Sequence, residues 1–212
     1  MSNELDFYRL EKILRTGKFW CSQFYELNDP MEAIFRIEAG NDWNVGKIFK
    51  DKKKYKICSF AGSEALKDAR MWAHYANGFK GVAIEVEIKD ENDSGVYKVN
   101  YNERIPSGAN VLKILTRKNE VWSYEYEYRF LKEDEEEENS FKVGEITAVY
   151  YGNPYKNTGN KNNILKDCAK LCEYEKRIQE LKDEDKDKKW KDVWMENGIV
   201  EWNKENENNN TA

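Results

Sequence analysis

Glu125 and Glu127 stand one residue apart within the stretch VWSYEYEYRF (121–130), and Arg129 follows two residues later. Strand side chains alternate between two faces with a rise of roughly 3.3 Å per residue. As a strand, the stretch puts Trp122, Tyr124, Tyr126, Tyr128 and Phe130 on one face, and Ser123, Glu125, Glu127 and Arg129 on the other. The carboxylates are then about 7 Å apart. Two acids sharing a cleft drive one pKa upward, which suits proton transfer, and a fixed carboxylate stabilises developing positive charge. The alternative is an outer strand whose polar face meets water, with Arg129 offsetting the repulsion between the acids.

Three other stretches carry chemistry-bearing residues. In WCSQFYELNDPME (20–32), Asn28 follows Trp20, Phe24 and Tyr25, so an amide stands beside aromatic surface. Asp29, Pro30 and Glu32 read equally well as a helix start, with a cap, a first-turn proline and a capping-box glutamate. His74 is the only histidine, which excludes any mechanism that needs a histidine pair. With Trp72 and Tyr75 it reads as helix packing. The lysine-rich run KIFKDKKKYK (47–56) reads as a solvated loop, and its Lys50–Lys56 part is the one place where a phosphate backbone could be gripped.

These residues must be positioned by mixed elements. Phe7, Leu10, Ile13 and Leu14 recur at helical spacing before Gly17, a C-terminal cap. Strands are predicted at KFWCS, ICSF, GVAIEVEI (81–88), VYKVNY (96–101) and EITAVYYG (145–152). Helices are predicted at ALKDARMWAHYA, at VLKIL, and from Ile164 through Leu181. On the last of these, Cys168 and Cys172 share a face and are expected to pack as small hydrophobes. The acidic run KEDEEEEN (132–139) reads as a solvated loop between paired strands. Strands and helices mix without βαβ alternation, so the expected class is α+β, a mostly antiparallel twisted sheet with flanking helices. Residues 1–182 are expected as a single α+β catalytic-like domain, 183–202 as a small C-terminal element and 203–212 as a disordered tail.

The 212 residues are 40% hydrophobic and 14% aromatic, with a formal net charge of −5. That composition supports a packed core and gives no general affinity for nucleic acid or anionic membrane. No apolar run reaches the 18 or so residues of a membrane span, and the N-terminus lacks a signal-peptide pattern. The four cysteines lack zinc-site spacing and are read as reduced thiols of a cytoplasmic protein, with no metal expected.

Taken in order, FWCSQFYELNDPME, ICSF, MWAHYANGFKGVAIEVE, VNYNER, KNEVWSYEYEYR and VYYGNPY resemble the bacterial and phage family called domain of unknown function 2971, over roughly residues 7–180. The layout is also similar to that of ADP-ribosyltransferases of the DarT type. Asn28-Asp29-Pro30-Met31 stands for their N-x-P-M stretch, with Asp29 and Glu32 near where those enzymes carry an arginine. Glu125-Tyr126-Glu127 resembles the E-x-E of several transferases, where the second glutamate is catalytic. The resemblance implies an ADP-ribosyltransferase-like fold and NAD as substrate, with Glu127 catalytic and Glu125 its partner. Trp20 and Tyr25 would stack on nicotinamide, Asn28 would orient the ligand, and Arg9 or Arg129 would hold the pyrophosphate. The acceptor would be nucleic acid or protein, with an antitoxin or defence partner, as in toxin and phage-defence systems. A non-catalytic binding or regulatory module is the rival, and a metal-dependent nuclease a weaker third.

Overall fold

The computed structural model describes residues 4–27, 45–89, 94–101, 110–133, 138–156 and 168–203. In chain order the elements begin with α1 (Glu4–Thr16), β1 (Lys18–Trp20), α2 (Val45–Lys52), β2 (Tyr55–Ala61), α3 (Ala69–Tyr75), β3 (Val82–Glu87) and β4 (Val96–Lys98). There follow β5 (Asn100–Tyr101), α4 (Val111–Leu115), β6 (Arg117–Lys118), β7 (Glu127–Glu133), β8 (Ser140–Lys142) and β9 (Glu145–Gly152). The series closes with α5 (Ala169–Glu184), β10 (Lys189–Glu196) and β11 (Ile199–Trp202). The class is α+β, with mostly antiparallel strand pairing; the β9-β10 and β5-β6 pairs are parallel. The chain divides into two compact units, one of residues 1–17, 66–87 and 144–212, the other of 18–65 and 88–143.

The first unit is built on a four-stranded sheet of order β11-β10-β9-β3. Strand β9 pairs antiparallel with β3 and parallel with β10, and the parallel pair needs a long crossover, which contains α5. Residues Asn197 and Gly198, both at positive φ, close the β10–β11 hairpin. The segment expected as a small terminal element therefore adds two strands to this sheet. Strand β9, EITAVYYG, is almost continuously apolar because both of its faces are covered. Val149 packs with Phe7, Leu10 and Leu14 of α1 and with Leu171, Tyr174, Ile178 and Leu181 of α5. Its neighbours Ala148 and Tyr150 pack with Trp72, Ala76, Phe79, Val193 and Val200. Each large apolar side chain so buried contributes about 1.5–3 kcal/mol. The Tyr174 hydroxyl lies 2.9 Å from the Gly81 carbonyl and 3.0 Å from that of Gly152, and burial holds its phenol well above the usual range.

The helix predicted before Gly17 is α1, with the Gly17 N–H donating to the Ile13 carbonyl. ALKDARMWAHYA divides: Ser63–Lys67 is a 3-10 turn, and Asp68 caps α3 by accepting from the Arg70 N–H. Cys168 and Cys172 are both exposed, which corrects their expected packing: the buried side of α5 is taken by larger side chains.

In the second unit β7 is the centre of a three-stranded antiparallel sheet, β2-β7-β4. The ribbon β1-β8 meets β2 through a bridge between Ser22 and Ile57. Phe24, Ile57, Ile114, Leu115 and Leu131 form the core of this unit. VYKVNY splits between two sheets: β4 pairs with β7, and β5 with β6, around the buried Val99. The lysine run is mostly helix rather than loop, because Ile48 and Lys52, one turn apart, fall on a face that packs. Lys52 is buried with its ammonium 5.0 Å from the Phe24 ring centre and 5.1 Å from that of Phe49, so it is not presented to an external phosphate. The expected helix start at Asp29, half of the acidic run (134–137) and nearly all of the expected tail lie outside the described residues.

Candidate active site

VWSYEYEYRF does not form one strand. Residues Glu120–Glu125 make a 3-10 helix, capped by the Asn119 side chain accepting from the Val121 N–H at 3.1 Å. Tyr126 then turns left-handed, at φ 48° and ψ 44°, and β7 begins at Glu127. A non-glycine residue in that region carries about 1–3 kcal/mol of strain. The turn breaks the expected alternation, and both glutamates bind the same cation instead of standing 7 Å apart along one face.

That cation is Lys118. Its ammonium lies 2.6 Å from Glu125 Oε2 and 3.0 Å from Glu127 Oε2. Arg129 approaches Glu127 from the other side, with Nε 2.8 Å from Oε1 and a terminal nitrogen 3.3 Å from Oε2. Ser59 of β2 donates its hydroxyl to Glu127 Oε1 at 2.6 Å, and a second terminal nitrogen of Arg129 donates to the Leu115 carbonyl at 2.5 Å. The Tyr101 hydroxyl accepts from the Glu127 N–H at 2.8 Å. The Lys118 ammonium also sits 5.2 Å from the Trp122 ring centre. Glu125, Glu127, Lys118 and Arg129 are 4%, 3%, 8% and 1% exposed. The polar face expected to meet water, or to line an open cleft, is thus buried. Burial is tolerable because two acids meet two bases and each Glu127 oxygen accepts two donors.

Burial opposes ionisation of Glu127, but Arg129, Lys118 and Ser59 outweigh it and hold the carboxyl below its usual 4.5. Burial likewise opposes the Lys118 charge, yet Glu127 and Glu125 raise its pKa well above 10.5. A carboxyl lowered in the folded state stabilises fully above the unfolded value, and that stability is lost as pH falls through the folded value. Wild-type stability should therefore drop steeply below about pH 4.5, and Glu127→Gln should flatten that part of the curve. Urea midpoints measured between about pH 3 and pH 7 decide it; parallel acid limbs in the two proteins would refute the assignment. The Lys118 contribution has the opposite sign, complete below 10.5 and lost only in strong alkali.

The fold gathers Glu125, Glu127 and Arg129, three of the residues expected at the site. Trp20 and Tyr25 are each 62% exposed in the same unit, Tyr25 edge-on to Phe24. Arg9 is an exposed residue of α1, in the other unit, 4.0 Å from Asp6. Asn28 lies outside the described residues. Lys118, Tyr101 and the role of Ser59 were not foreseen. One signal was present for Lys118: two acids with only Arg129 beside them need a second base if they are to be buried, and Lys118 opens the same motif. An open depression of about 370 Å³ is lined by Ser94, Gly95, Phe130, Leu131, Lys132, Phe141 and Lys142, which include neither glutamate.

Among the described residues no group of three or more His, Cys, Asp or Glu is placed to hold a metal ion, and no helix is long and apolar enough to cross a membrane. No family model, curated protein or solved structure matches the chain.

Proposed function

We propose that the chain is an ADP-ribosyltransferase-like enzyme that cleaves NAD and transfers ADP-ribose to a nucleic-acid or protein acceptor, in a toxin or phage-defence setting. The observation that carries this reading is a pair of buried carboxylates sharing one ammonium at a left-handed turn. Backbone strain and buried, ion-paired acids in one place are what functional sites tend to accumulate. Cleavage of the nicotinamide–ribose bond passes through an oxocarbenium-like state, as in glycoside hydrolysis. Glu127, ionised and fixed by Arg129, supplies the countercharge. Glu125 receives the acceptor proton. Arg129 is a positioning residue here, since Glu127 occupies it. The pyrophosphate falls to Lys118, and exposed Trp20 and Tyr25 of the same unit offer faces for nicotinamide. In this reading NAD draws Lys118 away from Glu125 Oε2 and Glu127 Oε2, while Arg129 and Ser59 stay on Glu127.

The second reading, a non-catalytic binding or regulatory module, is favoured by one observation: Ser59, Lys118 and Arg129 already supply four donors to Glu127. Ligand binding separates the two. A ligand at one hundred times its Kd adds about 2.7 kcal/mol to stability. NAD should therefore raise the melting temperature of the wild-type protein by roughly 5–10 °C. No shift at millimolar NAD would favour the module.

A further inference from the structure

Ser22 and Ile57 form an antiparallel bridge, each N–H donating to the other's carbonyl at 2.8 Å. One step outward along both segments, Cys21 stands opposite Cys58, in a pair without mutual backbone hydrogen bonds. Such pairs bring Cα atoms to about 4.5 Å and project both side chains from one face, with Cβ atoms near the same separation. A disulfide needs Cα atoms roughly 4.4–6.8 Å apart and Cβ atoms roughly 3.5–4.5 Å apart, so the register meets both requirements. Cys21 Sγ lies 3.7 Å from the Phe19 carbonyl oxygen, and each of the two thiols shifts the other's ionisation. Cys21 is fully buried and Cys58 is half-buried, and both belong to the same compact unit.

We propose that Cys21 and Cys58 are a redox modification site that closes a reversible cross-strand disulfide, tying the end of the β1-β8 ribbon to β2. The oxidant is a small disulfide of the glutathione class. Cys58, the accessible thiol, loses its proton and attacks the oxidant, forming a mixed disulfide and releasing one small thiol. Cys21 then loses its proton and attacks the Cys58 sulfur, expelling the second small thiol. Two S–H bonds are lost and one S–S bond forms, and the oxidant takes up two electrons and two protons. The environment suits this division of labour. The Cys58 side chain, with Lys56 nearby, holds the Cys21 thiol below its usual range, so Cys21 supplies the thiolate of the second step. Cys21 and burial push Cys58 up, which makes the first step slow.

The test uses the full chain with Cys168→Ser and Cys172→Ser, which leaves Cys21 and Cys58 as its cysteines. After incubation with oxidised glutathione, intact mass should fall by about 2 Da and N-ethylmaleimide should label no thiol in the denatured protein. Tryptic digestion should yield the Cys21 and Cys58 peptides joined, and dithiothreitol should restore both thiols. Adding Cys58→Ser should abolish the mass loss and leave one thiol to label. Two labelled thiols per chain, a persistent glutathione adduct on Cys58, or a disulfide-linked dimer would each overturn the proposal.

Discussion

Replacing Glu127 by alanine is expected to destabilise the protein by about 3–5 kcal/mol, the usual consequence of stranding a buried charge. The variant leaves Arg129, 1% exposed, facing an empty space where a bidentate carboxylate had been. Lys118 keeps Glu125 at 2.6 Å, so the loss falls chiefly on Arg129, which gives up both of its bonds to Glu127. A second substitution should reveal this. In a Glu127→Leu/Arg129→Met protein both charges are gone and the volume is filled, and apolar replacement of a buried ion pair is commonly neutral or better. The double variant should therefore be more stable than Glu127→Ala, a coupling of about 2 kcal/mol or more between residues in contact. Urea midpoints followed by tryptophan fluorescence measure it. Additive losses would mean that Glu127 and Arg129 do not depend on each other.

The second large effect lies in the other unit. Gly152 ends β9 so close to Phe79 that an added Cβ would sit 2.1 Å from the Phe79 carbonyl oxygen and 2.6 Å from its carbonyl carbon. The obstacle is main chain, which cannot swing aside as a side chain can. Nor can Phe79 retreat cheaply. It adopts φ 63° and stacks on Trp72, with ring centres 5.5 Å apart. Gly152 is also held by its own N–H to the Gly81 carbonyl, 2.9 Å, and by the Tyr174 hydroxyl. Overpacking of this kind costs about 1–3 kcal/mol, and a backbone obstacle puts Gly152→Ala at the upper end or above. Gly198→Ala is the contrast. It has open space around the missing Cβ, so its cost is limited to its φ of 81°. Similar melting temperatures for the two variants would contradict the close approach.

How much of this could be read from the chain depended on whether local pattern and tertiary need agreed. Strand β9 and helix α1 were legible because an apolar run or a 3.6-residue stripe has one sensible burial. Residues 121–130 misled because alternation alone does not make a strand. Asn119 offered a cap and Tyr126 accepted a left-handed turn, so two of the aromatic and two of the polar residues fall in each of two elements. The acids were recognised as a pair, but their partners were not. Lys118 lies seven residues before Glu125 and Ser59 lies 68 before Glu127, and only the packing of β2 and β6 near β7 brings them in. The thiol pair was invisible for the same reason: Cys21 and Cys58 become neighbours only through the Ser22–Ile57 bridge.

Nicotinamide release from NAD by the purified protein, with and without cell lysate, tests the catalytic role of the glutamate pair most directly. Glu127→Gln is the variant to compare, since it keeps the shape while removing the charge. Removal of one group that stabilises the transition state typically costs about 10²–10³ in rate. Release by the wild-type protein, reduced at least a hundredfold in a Glu127→Gln protein that remains folded, is the expected result. Equal release by the two proteins, or none from wild type under either condition, would contradict it and leave the buried glutamates as structural charges of a binding module.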